Sequence, residues 1–293
     1  MSVSRESAIT AVNLCKEYPV SRGLGDWLTR PWRHRGCVRA LADVSFRIDV
    51  GQVAGVVGLN GAGKTTLLKI LCNLLLPTSG HVSVFGHDLK GSSEAVRACV
   101  GFVPSDERSF FWRISARANL EFFASLYHVP PRTARRRIDA LLDTFGLTGK
   151  DGGHFRDYSS GMRKRLAIIR ALVHEPRILV LDEPTNSLDV RWDRHLRDYV
   201  RDWTRGERGR AVVWSTHRME EITDLCDRVL HLEHARLGVI DDPRLAVEVA
   251  CAREQDAGSP AIAFETNATE RVVNATERIA TTGEDQLKRR YGP

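Results

Sequence analysis

The chain has 293 residues, of which 42% are hydrophobic and 27% charged, and a net charge of +6. This composition suits a globular fold with one large core and room for a subdomain or tail, and no apolar run approaches the ~18 residues of a membrane-spanning helix. The surplus of positive charge lies in residues 1–240, which suits a phosphate-rich ligand, a nucleic acid or an anionic membrane surface without choosing among them.

The first ten residues lack the apolar centre of a secretory signal, so a cytosolic location is expected. Residues 8–14 and 38–50 have short alternating or β-rich character. Residues 53–57 (Val-Ala-Gly-Val-Val) form a continuous apolar run, the pattern of a strand buried on both faces, and a helical run is expected over Thr66–Leu76. Residues 115–172 carry apolar positions at helical spacing through Ala118–Leu126, Ile138–Phe145 and Leu166–Val173. Buried-strand patterns return at 178–181 (Ile-Leu-Val-Leu) and 211–214 (Ala-Val-Val-Trp), each followed by a helical pattern. Strands alternating with helices imply an α/β core with a mainly parallel sheet, whose ligands gather at the strands' C-terminal ends. The expected organisation is one domain over residues 1–240, with a helical insertion at about 106–173, and a polar tail over 241–293. That tail contains a heptad repeated back to back, Asn267–Val273 and Asn274–Ala280, too short for a coiled coil. The six cysteines are never closer than 22 residues and offer no zinc-type spacing.

Three segments carry chemistry. Gly58-Leu-Asn60-Gly61-Ala62-Gly63-Lys64-Thr65-Thr66 fits G-x-x-x-x-G-K-[ST] between a buried strand and a helix, the context that this pattern needs. Its glycines let backbone N–H groups close around a polyphosphate at a helix N-terminus, where Lys64 would reach the β- and γ-phosphates and the Thr65 hydroxyl would bind Mg²⁺. Asp182 ends the apolar run 178–181 and is placed to hold Mg²⁺ through water, and Glu183 follows it as the group to orient or deprotonate a water. Tyr158-Ser159-Ser160-Gly161-Met162, ahead of Arg163-Lys164-Arg165, forms a second anion site at a helix N-terminus, 97 residues from Lys64 to Gly161.

In this order, with Ser187-Leu188-Asp189 and His217 following, these segments resemble the nucleotide-binding subunit of ATP-binding cassette (ABC) transporters, of the exporter type with a separate permease chain. The resemblance covers about residues 8–240. It implies a P-loop NTPase (RecA-like) core with an antiparallel β subdomain and an inserted α-helical subdomain. It implies ATP and Mg²⁺ as ligands, and two subunits, copies or homologues, closing head to tail over two nucleotides. Each ATP would lie between one chain's phosphate loop and the partner chain's Ser159, Ser160 and Gly161. Glu183 would activate water, His217 would hold the γ-phosphate and that water, Asp189 would couple the two sites, and Tyr18 would stack on adenine. The implied place is the cytoplasmic face of the membrane, through an integral permease on another chain; no nucleic-acid partner is expected.

The sequence departs from the family in four places. Ser105 occupies the position of a glutamine that ligates Mg²⁺ and joins the site to the permease; the segment Glu107–Trp112 after it is a candidate docking surface. Positions 160 and 162 are Ser and Met rather than Gly and Gln. The turn Glu233-His-Ala-Arg236 lacks its usual glycine. An insert at about Val20–Gly36 carries two tryptophans and four arginines, suited to a solvated loop, a lipid boundary or a protein partner. The competing reading is a soluble ABC ATPase acting on nucleic acid or ribosomes, although the compact spacing of motifs and the single cassette disfavour it. A small-molecule kinase would not account for Ser159–Gly161 or Ser187–Asp189.

Overall fold

The computed structural model describes residues 6–19, 36–106, 109–206 and 209–248, all within the unit Met1–Ala250. Residues 20–35, which make up almost all of the Trp/Arg insert, and the repeated heptads of the tail lie outside the described residues.

Two sheets organise the chain. Strands β1 (Ser7–Pro19), β2 (Cys37–Asp49), β4 (Ser79–Val84) and β5 (His87–Asp88) form an antiparallel sheet in the order β2-β1-β4-β5. The second sheet joins β3 (Val53–Val57), β6 (Val100–Val103), β7 (Ile178–Asp182), β8 (Ala211–Ser215), β9 (Arg228–Glu233) and β10 (Arg236–Ile240) in the order β10-β9-β3-β8-β7-β6. All its pairings are parallel except β10 against β9. Strand β8 thus lies between β3 and β7, which brings the ends of the three apolar runs side by side.

The runs are apolar throughout because both faces are covered. Ala54, Val56, Ile178, Val180 and Val213 share a buried cluster with Leu67, Leu68 and Ile70 of α1 (Lys64–Leu71) and with residues of β1 and β2. The alternate residues Val53, Val57, Leu179, Leu181 and Trp214 share the other cluster with α5 (Ser160–Leu172), α6 (Val190–Arg205) and α7 (Met219–Leu225). Between α1 and α5 the chain adds α2 (Ser93–Cys99), α3 (Ala116–Leu126) and α4 (Pro131–Thr144). Helices α3, α4 and α5 form the inserted helical layer and bury Leu120, Ala124, Ile138, Leu142 and Ile169 at helical spacing. Pro131 takes the first position of α4, where its fixed φ and missing N–H cost nothing.

The end of α1 differs from the sequence expectation, whereas the glycine-free turn before β10 is accommodated locally. Helix α1 stops at Leu71 although the apolar run continues to Leu76, because Asn73 turns left-handed (φ 51°). There Asn73 N–H donates to Ile70 O (2.8 Å) and Leu74 N–H to Lys69 O (2.9 Å), the paired bonds of a Schellman cap. At the β9–β10 hairpin His234 (φ 47°) and Ala235 (φ 66°) both adopt the left-handed region where glycine is usual. Ala42 N–H donates to Ala235 O (2.7 Å) and ties this strained turn to the antiparallel sheet. The packed framework also runs past residue 240: residues 243–248 are helical and Ala246 is buried in the core.

Candidate nucleotide site

A cavity of about 260 Å³ opens at the C-terminal end of the parallel sheet, lined by Ala40, Asn60, Gly61, Gly63, Lys64, Thr65, Thr66, Ser105, Asp182 and Glu183. It gathers most of the phosphate loop with both acids of β7's end and with Ser105. Gly63 (φ 107°) caps α1, and a Cβ there would meet Ala40 O at 2.3 Å, so only glycine lets the loop lie against β2. No side chain caps α1 and no acid stands in its first turn, which leaves its N–H groups and positive dipole end to an anion. Lys64 Nζ donates to Gly58 O (2.5 Å) and Leu59 O (3.1 Å), inside the ring of the loop. Partial burial lowers the pKa of this ammonium, while Glu183 and Asp182 act against that shift. Gly58 and Ala62 do not line the cavity, although the Gly58 carbonyl anchors Lys64.

Thr65 Oγ1 donates to Asp182 Oδ2 at 3.4 Å. Burial pushes the Asp182 carboxyl upward; Glu183 adds to the shift, and Thr65 and Lys64 oppose it. A desolvated carboxylate beside a hydroxyl is an all-oxygen pair of the kind hard divalent cations take, and a cation would relieve its cost. Glu183 is left-handed (φ 47°), an uncommon state for a non-glycine residue, and its N–H donates to Ser215 O (3.0 Å). Its two carboxylate oxygens face different partners. Oε1 lies 3.4 Å from His217 Nδ1, and Oε2 accepts from Asn186 Nδ2 at 2.5 Å. The sheet order explains the pairing: β7 and β8 are neighbours, so residues just beyond their ends meet.

Ser105 follows β6 and its backbone oxygen accepts from Lys164 Nζ (3.2 Å), as does Pro104 O (3.2 Å). Lys164, almost fully buried in α5, thus ties the cavity wall to the helix that begins with Ser160. Tyr18 lies beside rather than in the cavity, its hydroxyl 3.4 Å from Thr66 Oγ1. Ser159 caps α5 by accepting from Met162 N–H (3.3 Å), and a Cβ on Gly161 would stand 3.0 Å from Ser187 O. Asp189 caps α6 by accepting from Trp192 N–H (3.0 Å). None of Ser159, Ser160, Gly161 and Asp189 lines the cavity of its own chain. Sequence reading passed over Ala40 and Asn186, and took Lys164 only as part of a basic helix start, whereas the side chain is buried. Asn186 was open to it, because an amide three residues beyond Glu183 sits in the same turn; Ala40 and the burial of Lys164 have no local signal.

The ABC transporter family profile matches residues 41–186. The ABC transporter ATP-binding protein NatA of Bacillus subtilis (strain 168) is 36% identical over 66% of this chain and 78% of its own length. The chain belongs to the ABC transporter family. As an ABC cassette it is also similar to the daunorubicin resistance ATP-binding protein DrrA3 of Streptomyces coeruleorubidus, 39% identical over 69% of this chain and 63% of that protein. The methionine import ATP-binding protein MetN of Geobacillus kaustophilus (strain HTA426) matches at 34% over 69% of this chain and 60% of its own length. Among solved structures, a dimeric ATP-binding cassette in a post-hydrolysis state with ADP and Pi shares the fold at a TM-score of 0.68, with 23% identity over 80% of this chain and 98% of that one. The cassette is therefore an ATP-binding subunit with the antiparallel sheet, parallel core and helical layer of its family. Among the described residues no helix is long and apolar enough to cross a membrane.

Proposed function

We propose that the chain is the ATP-hydrolysing subunit of an exporter, pairing with a second copy or a homologous subunit to drive an integral membrane permease encoded on another chain. The observation that carries the reading is the meeting of two pairs at one sheet end: Thr65 with Asp182, and Glu183 with His217. The first pair, with Ser105 on the cavity wall, would hold Mg²⁺, which when bound neutralises phosphate charge. The loop amides, the α1 N-terminus and Lys64 bind the β- and γ-phosphates, and Tyr18 stacks on adenine. Glu183 orients the attacking water and accepts its proton, and His217 holds the γ-phosphate and that water in line. A positioned base of this kind contributes typically about 10²–10⁴ in rate.

Ser159, Ser160 and Gly161 lie outside this cavity, which supports a site completed by the partner chain. The partner's signature turn would bring its N–H groups to the γ-phosphate, and Asp189 would couple the two sites. Half-exposed Phe111 and Trp112 on the helical layer offer the permease a surface, whereas neighbouring Phe110 is buried against Phe155. Similarity to a daunorubicin resistance protein favours export over import. The test is affinity purification of the tagged full chain from detergent-solubilised membranes. A polytopic membrane protein in stoichiometric amount is expected, and cargo should leave ATP-loaded proteoliposomes in the permease's outward direction. Ribosomal particles or nucleic acid in its place would move the chain to the soluble class, and ATP-driven uptake would reverse the direction.

A further inference from the structure

One buried acid near the site has no part in the chemistry above. Glu221, in the first turn of α7, is fully buried and is held by three groups: one from β8, one from the loop after β7 and one from the N-cap of its own helix. Its Oε1 accepts from the Thr185 hydroxyl at 2.7 Å and pairs with the Arg218 guanidinium at 2.8 Å, and its Oε2 accepts from the Trp214 indole N–H at 2.9 Å. Thr185 lies two residues beyond Glu183, and Arg218 directly follows His217. A single carboxylate oxygen therefore fastens the chain beyond the general base and the chain beyond the histidine. Arg218 reaches on to Asp193 Oδ2 (2.8 Å) in α6, which also takes Arg197 (2.9 Å).

We infer that Glu221 is a positioning residue, whose carboxylate sets the separation of Glu183 and His217 by tying their two loops together; this rests on the reading of those residues as the hydrolytic pair. The two loops need such a tie. Glu183 and Ser187 (φ 71°) both hold left-handed backbone, a strained turn that persists only where its surroundings fix it. The upstream side of the turn is fixed by Glu183 N–H on Ser215 O, and Thr185 on Glu221 fixes the downstream side. The His217 imidazole is largely exposed, so its place depends on the backbone beside it, held by Arg218 N–H on Thr216 Oγ1 (3.0 Å) and by the Arg218 guanidinium. Buried networks of this kind hold or loosen as a unit, because removing one member leaves the others uncompensated.

The test is steady-state ATPase activity of the full chain assembled with its permease, for Glu221→Gln and Thr185→Val, each alone and combined with His217→Ala. Glu221→Gln is expected to lower kcat about tenfold and Thr185→Val about threefold, with KM for ATP within about twofold. In the His217→Ala background neither should lower the residual kcat by more than about twofold, because the geometry they maintain is already gone. An undiminished further loss in that background would reduce Glu221 to a packing role, and unchanged kcat in both single variants would overturn the inference. Should Glu221→Gln fail to fold, Thr185→Val decides alone, since it leaves Glu221 its Trp214 and Arg218 partners. Glu183→Gln and His217→Ala by themselves report on the underlying reading: wild-type turnover in both would dismiss the hydrolytic pair and the inference with it, whereas losses there with silent Glu221 and Thr185 variants would dismiss the inference alone.

Discussion

The starts of α1 and α5 are alike in one respect: each presents backbone N–H groups at a helix N-terminus whose first turn carries no acid. They differ in what surrounds them. The α1 start has no side-chain cap, opens on a cavity, and has Lys64, Thr65, Asp182 and Glu183 around it. The α5 start is capped by its own Ser159 and stands outside that cavity. On the proposed reading, one region grips the nucleotide of its own chain, whereas the other keeps its N–H groups for the phosphate of a partner. The contrast is what the proposed unit of two chains rests on.

Substitutions at four positions put that contrast to the test. Lys64→Ala should weaken ATP binding about a hundredfold by calorimetry, as expected when a charge-assisted bond to phosphate is removed from a partly buried site. Unchanged affinity would undo the phosphate-loop assignment. Ser159→Asp keeps a good helix cap but sets a negative charge where the partner's phosphate should arrive. It should cut turnover about thirtyfold while ATP affinity of the isolated chain stays within about twofold. A parallel loss of monomer affinity would place Ser159 in its own chain's site. Tyr18→Ala should weaken ATP binding about tenfold and Tyr18→Phe by less than about twofold, since stacking needs the ring and not the hydroxyl. If both variants weaken binding equally, the contact with Thr66 matters instead. Ser105→Ala should have the smallest effect, raising the Mg²⁺ needed for half-maximal turnover about threefold; no change would show that its hydroxyl takes no part in holding the ion.

What was legible in the sequence follows from where the information lies. The phosphate loop and the end of β7 could be read because each packs its chemistry into a few consecutive residues after a strand buried on both faces. The expected layers follow from the same alternation of strands and helices. The end of α1 could not be read from apolarity, because Leu74, Leu75 and Leu76 continue the pattern and only the left-handed Asn73 stops it. The tie between Ser105 and Lys164 joins positions 59 apart, and that between Thr185 and Glu221 joins positions 36 apart. Such contacts are products of the sheet order and carry no local signature. Glu221 itself reads as one of several acids at a helix start until its burial is known.

Glu183→Gln probes the composite site at its chemical step, because removing the proposed general base while keeping its shape should leave ATP bound and unhydrolysed. Light scattering of this variant at saturating Mg-ATP, with nucleotide occupancy measured in the same sample, should give twice the monomer mass, returning to the monomer when Ser159→Asp is added. A monomer with ATP fully bound, alone and with the permease present, would contradict the account.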